Sequence, residues 1–207
     1  MKVIIFSWEY PPRIVGQLAT YVKELANQLV KSNLQSYVVT YHDYLTGENE
    51  EPEGVRTFRV SNPVKTHIGV LTWVLTLNQE VERAAANIYY GANRQIDLVD
   101  VQDWHFIPAA TTLKKGLKLP FVYSVDSLEQ HRSHGANAPF NMAIKSIEML
   151  GINESARIIV KSEWMRDEIV KVYGASKDKI CIVSPRSSTW ISSVTECYRE
   201  AAKEVPA

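Results

Sequence analysis

The sequence has no surplus of charge of either sign: 23 Lys and Arg stand against 23 Asp and Glu, so the formal net charge is zero at neutral pH. A nucleic-acid partner needs a basic excess to neutralise phosphates, and that class is excluded. No apolar run approaches the ~20 residues that cross a bilayer, which excludes a membrane span. Met1-Lys2-Val3-Ile4-Ile5-Phe6 is too short for the apolar core of a signal peptide and has no cleavage site, so the reading is of a soluble cytoplasmic chain. Cysteine is scarce. Cys181 and Cys197 have no metal-type spacing and read as two reduced, partly buried thiols. Internal repeats, low-complexity tracts and cofactor motifs are also missing. Glycine is short at one telling place, the turn Val15-Gly16-Gln17-Leu18. A turn that cradles a phosphate or sugar needs glycine, because any Cβ holds the backbone away from the ligand. Here one glycine is present, and Gln17 stands where a second would fit.

What is present is alternation. Apolar strand-like runs at Val3–Phe6, Tyr37–Tyr41, Val55–Val60, Leu98–Val101, Phe121–Val125, Ile158–Val160 and Ile180–Val183 alternate with helical patterns. Leu18, Val22, Leu25 and Leu29 share one helical face, and Leu71 to Ile88 marks a long helix. Further helices are expected over Ile107–Leu113, Ala143–Leu150 and Trp164–Tyr173. This order predicts an α/β, Rossmann-like, doubly wound parallel sheet with helices on both faces. The acidic stretch Gly47–Gly54 reads as a solvated hairpin-like loop, and His131–Pro139 as a longer irregular loop. The end breaks the pattern: after Ser184-Pro185-Arg186-Ser187-Ser188 comes a last helix with Trp190, Val194, Cys197, Tyr198, Ala201 and Val205 on one face. With no strand after it, that helix must strap back across the sheet. We therefore expect a single domain, with residues 1–185 as its body and residues 186–207 as linker and crossover helix.

Ligands of an open parallel sheet bind outside the carboxyl ends of its strands. That rule selects the segment from Ser7 to Gln17, then His42 and Asp43, Gln102 to His105, Asp126 and Ser127, Lys161 and Ser162, and Ser184 and Pro185. Within it, Trp8, Gly16, Gln17, Asp103, Trp104, His105 and Ser127 are the candidate binding residues, with Trp8 and Trp104 as sugar-stacking faces. Each has a plainer alternative: Asp43 and Asp103 as turn residues, His105 as loop filling, Ser162 as a helix N-cap. Lys161 ends an apolar run where an apolar residue is expected. Buried, a lysine loses its charge more easily and becomes nucleophilic; paired with Asp126 or extended to solvent, it does not.

Several of these residues stand in recognisable strings. Phe6-Ser7-Trp8-Glu9-Tyr10-Pro11-Pro12, Gly16 with Leu18-Ala19, Asp103-Trp104-His105, Ser127-Leu128-Glu129 and Ser162-Glu163-Trp164-Met165 together resemble the N-terminal half of retaining GT-B glycosyltransferases. The likeness is to the glycogen synthase-like group in an archaeal-looking version, over about residues 1 to 183. It implies an acceptor-binding Rossmann-like domain that normally works with a second, donor-binding domain, and a last helix that crosses back onto the first. It also exposes departures. Gly-Gly-Leu is here Gly16-Gln17-Leu18, His-Asp-Trp-His is Gln102-Asp103-Trp104-His105, and Thr-Ile-His-Ser is Ser124-Val125-Asp126-Ser127. Thr-Val-Ser-Glu is Val160-Lys161-Ser162-Glu163, and Pro-Asn-Gly in the linker is Ser184-Pro185-Arg186. Most of these fall on the strand-end rim. One does not: Ser32-Asn33-Leu34-Gln35-Ser36 replaces Ser-Gly-His-Glu-Val at the opposite end of the sheet.

The resemblance therefore implies a cut-down, engineered first domain with its strap retained, unable to transfer glucose and able to hold an α-glucan or another small molecule in the strand-end cleft. A second reading is an engineered enzyme with a new site on that rim. Lys161 would form a Schiff base with a carbonyl substrate while Asp126 moves protons, or, less readily, Cys181 with a histidine would hydrolyse esters. A third is a binding module or scaffold without chemistry.

Overall fold

The computed structural model describes residues 1–204, and Val205, assigned above to the last helix face, lies outside them. The elements in chain order are β1 (Lys2–Ser7), α1 (Gln17–Lys31), β2 (Gln35–Tyr41), β3 (Gly47–Glu50), β4 (Arg56–Val60), α2 (Val70–Gly91), β5 (Leu98–Gln102), α3 (Ile107–Leu117), β6 (Phe121–Ser124), α4 (Glu129–Arg132), α5 (Pro139–Glu154), β7 (Arg157–Val160), α6 (Glu163–Tyr173), β8 (Ile180–Ile182) and α7 (Trp190–Lys203). The strands form one sheet in the order β3-β4-β2-β1-β5-β6-β7-β8. All neighbours are parallel except the β3–β4 pair. The order reverses at β1, which pairs with β2 on one side and β5 on the other.

Side-chain alternation builds two cores. Ile4, Phe6, Val99, Val101, Phe121, Tyr123 and Ile158 point to the face covered by α2, α3, α5 and α6. Val3, Ile5, Val38, Leu98, Val122 and Ile159 point to the face covered by α1 and α7. Strands buried on both sides must be apolar throughout, which is why their sequences read as continuous runs. On the first face Gly151 of α5 leaves no spare room: a Cβ there would lie 2.8 Å from Ile107 Cδ1 and 2.9 Å from Tyr123 Cδ1.

Three local readings are revised. Gly47–Glu50 is a strand, antiparallel to β4, because Glu48 and Glu50 sit opposite Phe58 and Arg56 and Glu48 ion-pairs with Arg56. The irregular loop after β6 is partly helical: α4 occupies its first residues, and α5 starts at Pro139, where proline at the first helical turn is favoured. The change at residues 32–36 is explained in part: Leu34 packs in the core under α1, and nothing in the structure explains Gln35 and Ser36. Asn33 closes α1 with φ at 62°, a left-handed conformation that glycine takes freely and asparagine tolerates better than most residues.

The last helix lies on the α1 face against β5, β6 and β7. Val194, Cys197, Tyr198 and Ala201 are buried there. Tyr198 donates its hydroxyl to Asp100 Oδ2 at 2.5 Å, deep under the sheet. Arg157 at the start of β7 holds Glu200 and Glu204. Cys181 and Cys197 are joined as a disulfide, which corrects the reading of two reduced thiols and removes Cys181 as a hydrolytic nucleophile. The folding back of α7 over β8 brings their Cα atoms to 6.4 Å, a proximity that 16 residues of separation do not reveal.

Candidate functional site

The crevice where the strand order reverses is bounded by the loops after β1 and β5. Trp8 and Glu9 leave β1, and Asp103, Trp104 and His105 leave β5 as a single tight turn. Gly16 and Gln17 open α1, and Asp126, Glu129 and Arg132 close the far side. The cleft has a volume of about 340 Å³. The candidate binding residues Trp8, Gly16, Gln17, Asp103, Trp104 and His105 therefore do converge, and Asp126 joins them. Ser127 lies beside them, its Oγ accepting from Arg132 Nη1 at 2.6 Å.

The α1 turn does not offer its amides to a ligand. Glu9 is buried, and its Oε2 accepts from the backbone N–H groups of Val15 at 2.6 Å and Gly16 at 2.7 Å. The carboxylate of the chain itself thus fills the position an anion would take. Gly16 adopts φ −145°, an extended conformation open to any residue. Gln17 is exposed, begins the helix and lines the cleft.

The two tryptophans are engaged. His105 stacks between them, 4.9 Å from the Trp8 ring and 4.3 Å from the Trp104 ring. Arg13 lies 4.9 Å from the Trp8 centroid, a cation–π contact. Trp104 is only 4 % exposed and packs on Val74 and Ile144. The expected sugar-stacking faces are therefore engaged by neighbours: the turn after β5 buries Trp104 and lays His105 against the half-buried Trp8, whose ring also meets Arg13. Burial, with Arg132 and Arg13 adding to it, lowers the His105 pKa to about 3. Its Nδ1 has no hydrogen-bond partner.

Asp103 is strained and buried. Its φ of 64° is left-handed, and its Oδ1 has no partner. Burial raises its carboxyl to about 7; Arg132 opposes the shift, and Asp126 and Glu148 add to it. Arg132 is the local hub, 3.7 Å from Asp103, 3.0 Å from Glu129 and 2.7 Å from Glu148. Glu148 is fully buried in mid-α5 and also accepts from the Glu129 N–H at 2.8 Å and from the Tyr173 hydroxyl. Neither Arg132 nor Glu148 stood out in the sequence, since Arg132 fell in a stretch read as irregular loop and a charge in mid-helix such as Glu148 reads as a solvated face.

Beyond Asp126 the rim opens into a larger cleft of about 810 Å³ between α1, the β7 and β8 ends and the start of α7. Lys161 and Asp126 form an ion pair at its floor, each about a third exposed. Lys161 Nζ also lies 4.5 Å from the Tyr21 ring centroid. Lys161 thus has the Asp126 carboxylate on one side and an aromatic face on another. Ser162 caps α6, accepting from Met165 N at 3.2 Å. Asp100 went unnoticed because it lies in mid-strand; the one acidic residue inside the apolar run Leu98–Val101 was the available signal. Among the described residues no group of three or more His, Cys, Asp and Glu could hold a metal ion. No helix among them is long and apolar enough to cross a membrane.

A doubly wound sheet with a polar crevice at its reversal point and a helix crossing back over it is the arrangement that the GT-B resemblance implies. The chain belongs to glycosyltransferase family 4, whose model matches residues 18–185. It is 31 % identical over 202 residues to an uncharacterized glycosyltransferase of Methanocaldococcus jannaschii, covering 97 % of this chain and 50 % of that protein. Against a glycogen synthase of Mycobacterium tuberculosis the identity is 25 % over 196 residues, covering 88 % of this chain and 47 % of the relative. The chain thus spans about half the length of the curated relatives it matches. Among solved structures, sucrose-phosphate synthase from Thermosynechococcus elongatus superposes with a TM-score of 0.69 at 16 % identity, over 88 % of this chain and 47 % of that one. A form of it designated 27_220_406_426 superposes at 0.67 and 17 % identity, over 97 % of this chain and 98 % of that one.

Proposed function

We propose that this chain is the acceptor-side half of a glycogen synthase-like sugar transferase whose rim no longer supports glucosyl transfer. The observation that carries the reading is the Asp126–Lys161 ion pair at the cleft mouth. The resemblance places a histidine where Asp126 stands. Held by Lys161, that carboxylate accepts hydrogen bonds but supplies neither the donor nor the proton that an imidazole offers at the same place. Glu9 already occupies the Val15 and Gly16 amides, and Gln17 adds a side chain at the same turn.

The joining of the strap to the domain body through Arg186-Ser187-Ser188 supports reading the chain as an engineered condensation of a two-domain enzyme. The nearly full-length match to the 27_220_406_426 form of sucrose-phosphate synthase favours the same view. The retained role is weak binding of an α-glucan or another small hydroxylated ligand through the polar groups of the crevice, with no cofactor, nucleic acid or membrane involved. The test is incubation of the pure chain with ADP-glucose or UDP-glucose labelled in the sugar, with glycogen as acceptor. No label enters glycogen if the reading holds; incorporation above a protein-free control overturns it. Calorimetric titration with maltooligosaccharide tests the binding role separately.

A further inference from the structure

We propose that the Cys181–Cys197 disulfide is a redox-operated clasp that sets the width of the large rim cleft. The disulfide joins β8 to the middle of α7 and so closes a loop containing the whole linker and the first two turns of that helix. Two residues of this loop, Arg186 and Trp190, line the 810 Å³ cleft together with Asp126 and Lys161. Trp190 reaches across to Tyr21 of α1, with ring centroids 5.9 Å apart. The linker itself is lightly held. Ser184 and residues 186–189 are exposed, and the contacts of Ser187 and Thr189 are local.

The polar ties between α7 and the sheet lie beyond Cys197. Tyr198 is tied to Asp100, and Glu200 and Glu204 are tied to Arg157. Opening the disulfide therefore leaves the second half of the helix anchored. Among the described residues, the linker and first turns then rest on the buried Val194 and Thr195, on Ile191 and on the Trp190–Tyr21 contact. This part of the cleft lining becomes a segment that opens locally while the sheet stays folded. The reaction is exchange with a small dithiol. Its two S–H bonds and the protein S–S bond are consumed. Two protein thiols and the disulfide of the reductant form, with two electrons and two protons passing to the protein.

Arg186 supplies the readout, since trypsin cuts after it and the next residue is Ser187. The full chain is digested under native conditions with and without prior dithiothreitol, and cleavage after Arg186 is followed by mass spectrometry against cleavage in α3 after Lys114 and Lys115. Reduction is expected to speed the Arg186 cut by about tenfold or more, because cleavage tracks the open population, and to leave the α3 cuts unchanged. Cys197→Ser should cut fast with or without reductant, and Tyr198→Phe should keep the response to reductant. Equal Arg186 rates in the two states overturn the proposal. So does equal acceleration at all sites, which marks global unfolding, and so does alkylation of both cysteines in the air-oxidised chain before reduction.

Discussion

Replacing Tyr198 with Phe deletes a single oxygen, and its effect should depend on pH in a calculable way. The hydroxyl donates to Asp100 at 2.5 Å, and the carboxylate also accepts from Gln102 Nε2 and Ser124 Oγ, each at 2.6 Å. Asp100 is fully buried, and burial raises its pKa to about 6, the three donors acting in the opposite direction. A folded pKa above the unfolded value of ~3.9 means that the native state binds more protons between about pH 4 and pH 6, so this group's contribution to stability falls as pH rises through that window. The Tyr198 hydroxyl limits that loss by favouring the ionised form. Its removal should cost about 1.5–3 kcal/mol at pH 8, the range for a hydrogen bond to a charged group, and about 0.5–1.5 kcal/mol at pH 5, where Asp100 is protonated. For a chain of this size each kcal/mol moves Tm by roughly 2–4 °C. Urea unfolding of parent and variant at pH 5 and pH 8 measures both differences. Equal destabilisation at the two pH values, or a larger one at pH 5, refutes the assignment of the strap's anchor to an ionised buried carboxylate.

Two further outcomes follow from the packing and the site. Gly151→Ala should destabilise by about 1–3 kcal/mol in urea unfolding, because its Cβ would meet Ile107 and Tyr123 below 3.0 Å in a filled core; a neutral result would mean that α5 can shift on the sheet. His105 should stay neutral from pH 8 down to pH 4, with an imidazole proton resonance in NMR that does not move over that range, since burial depresses its pKa to about 3. The sign is that stability from this group is complete above its unfolded pKa of ~6.5 and declines as pH falls toward 3, because only the unfolded chain gains the proton.

The sheet was legible because its strands are covered on both faces and carry little but apolar side chains. β3 was not, since Gly47–Glu50 has no apolar alternation and becomes a strand only through its partner β4. The strand-end rule found Asp103, His105, Asp126 and Lys161, because position along a strand is readable from sequence. It could not report what those groups touch. The enclosure of Trp8 and Trp104 around His105, the engagement of the Gly16 turn by Glu9 and the Arg132 hub are tertiary facts, made by elements distant in sequence. The disulfide and the Tyr198–Asp100 bond escaped for the same reason. Both depend on where α7 lands, and its own residues record only that one face is apolar.

The position of β1 has a consequence for synthesis on the ribosome. It is the first described strand to emerge, yet it lies at the centre of the sheet, with β2 on one flank and β5 on the other. The β2 flank closes once residue 41 is free, but the β5 flank stays open until residue 102 has left the exit tunnel. Asp100 then waits still longer for its last donor, Tyr198. A nascent chain halted before residue 102 carries an unpaired edge at β1, and one halted before α7 leaves the α1 face of β5, β6 and β7 without the cover that α7 gives, so both stages are open to misassociation.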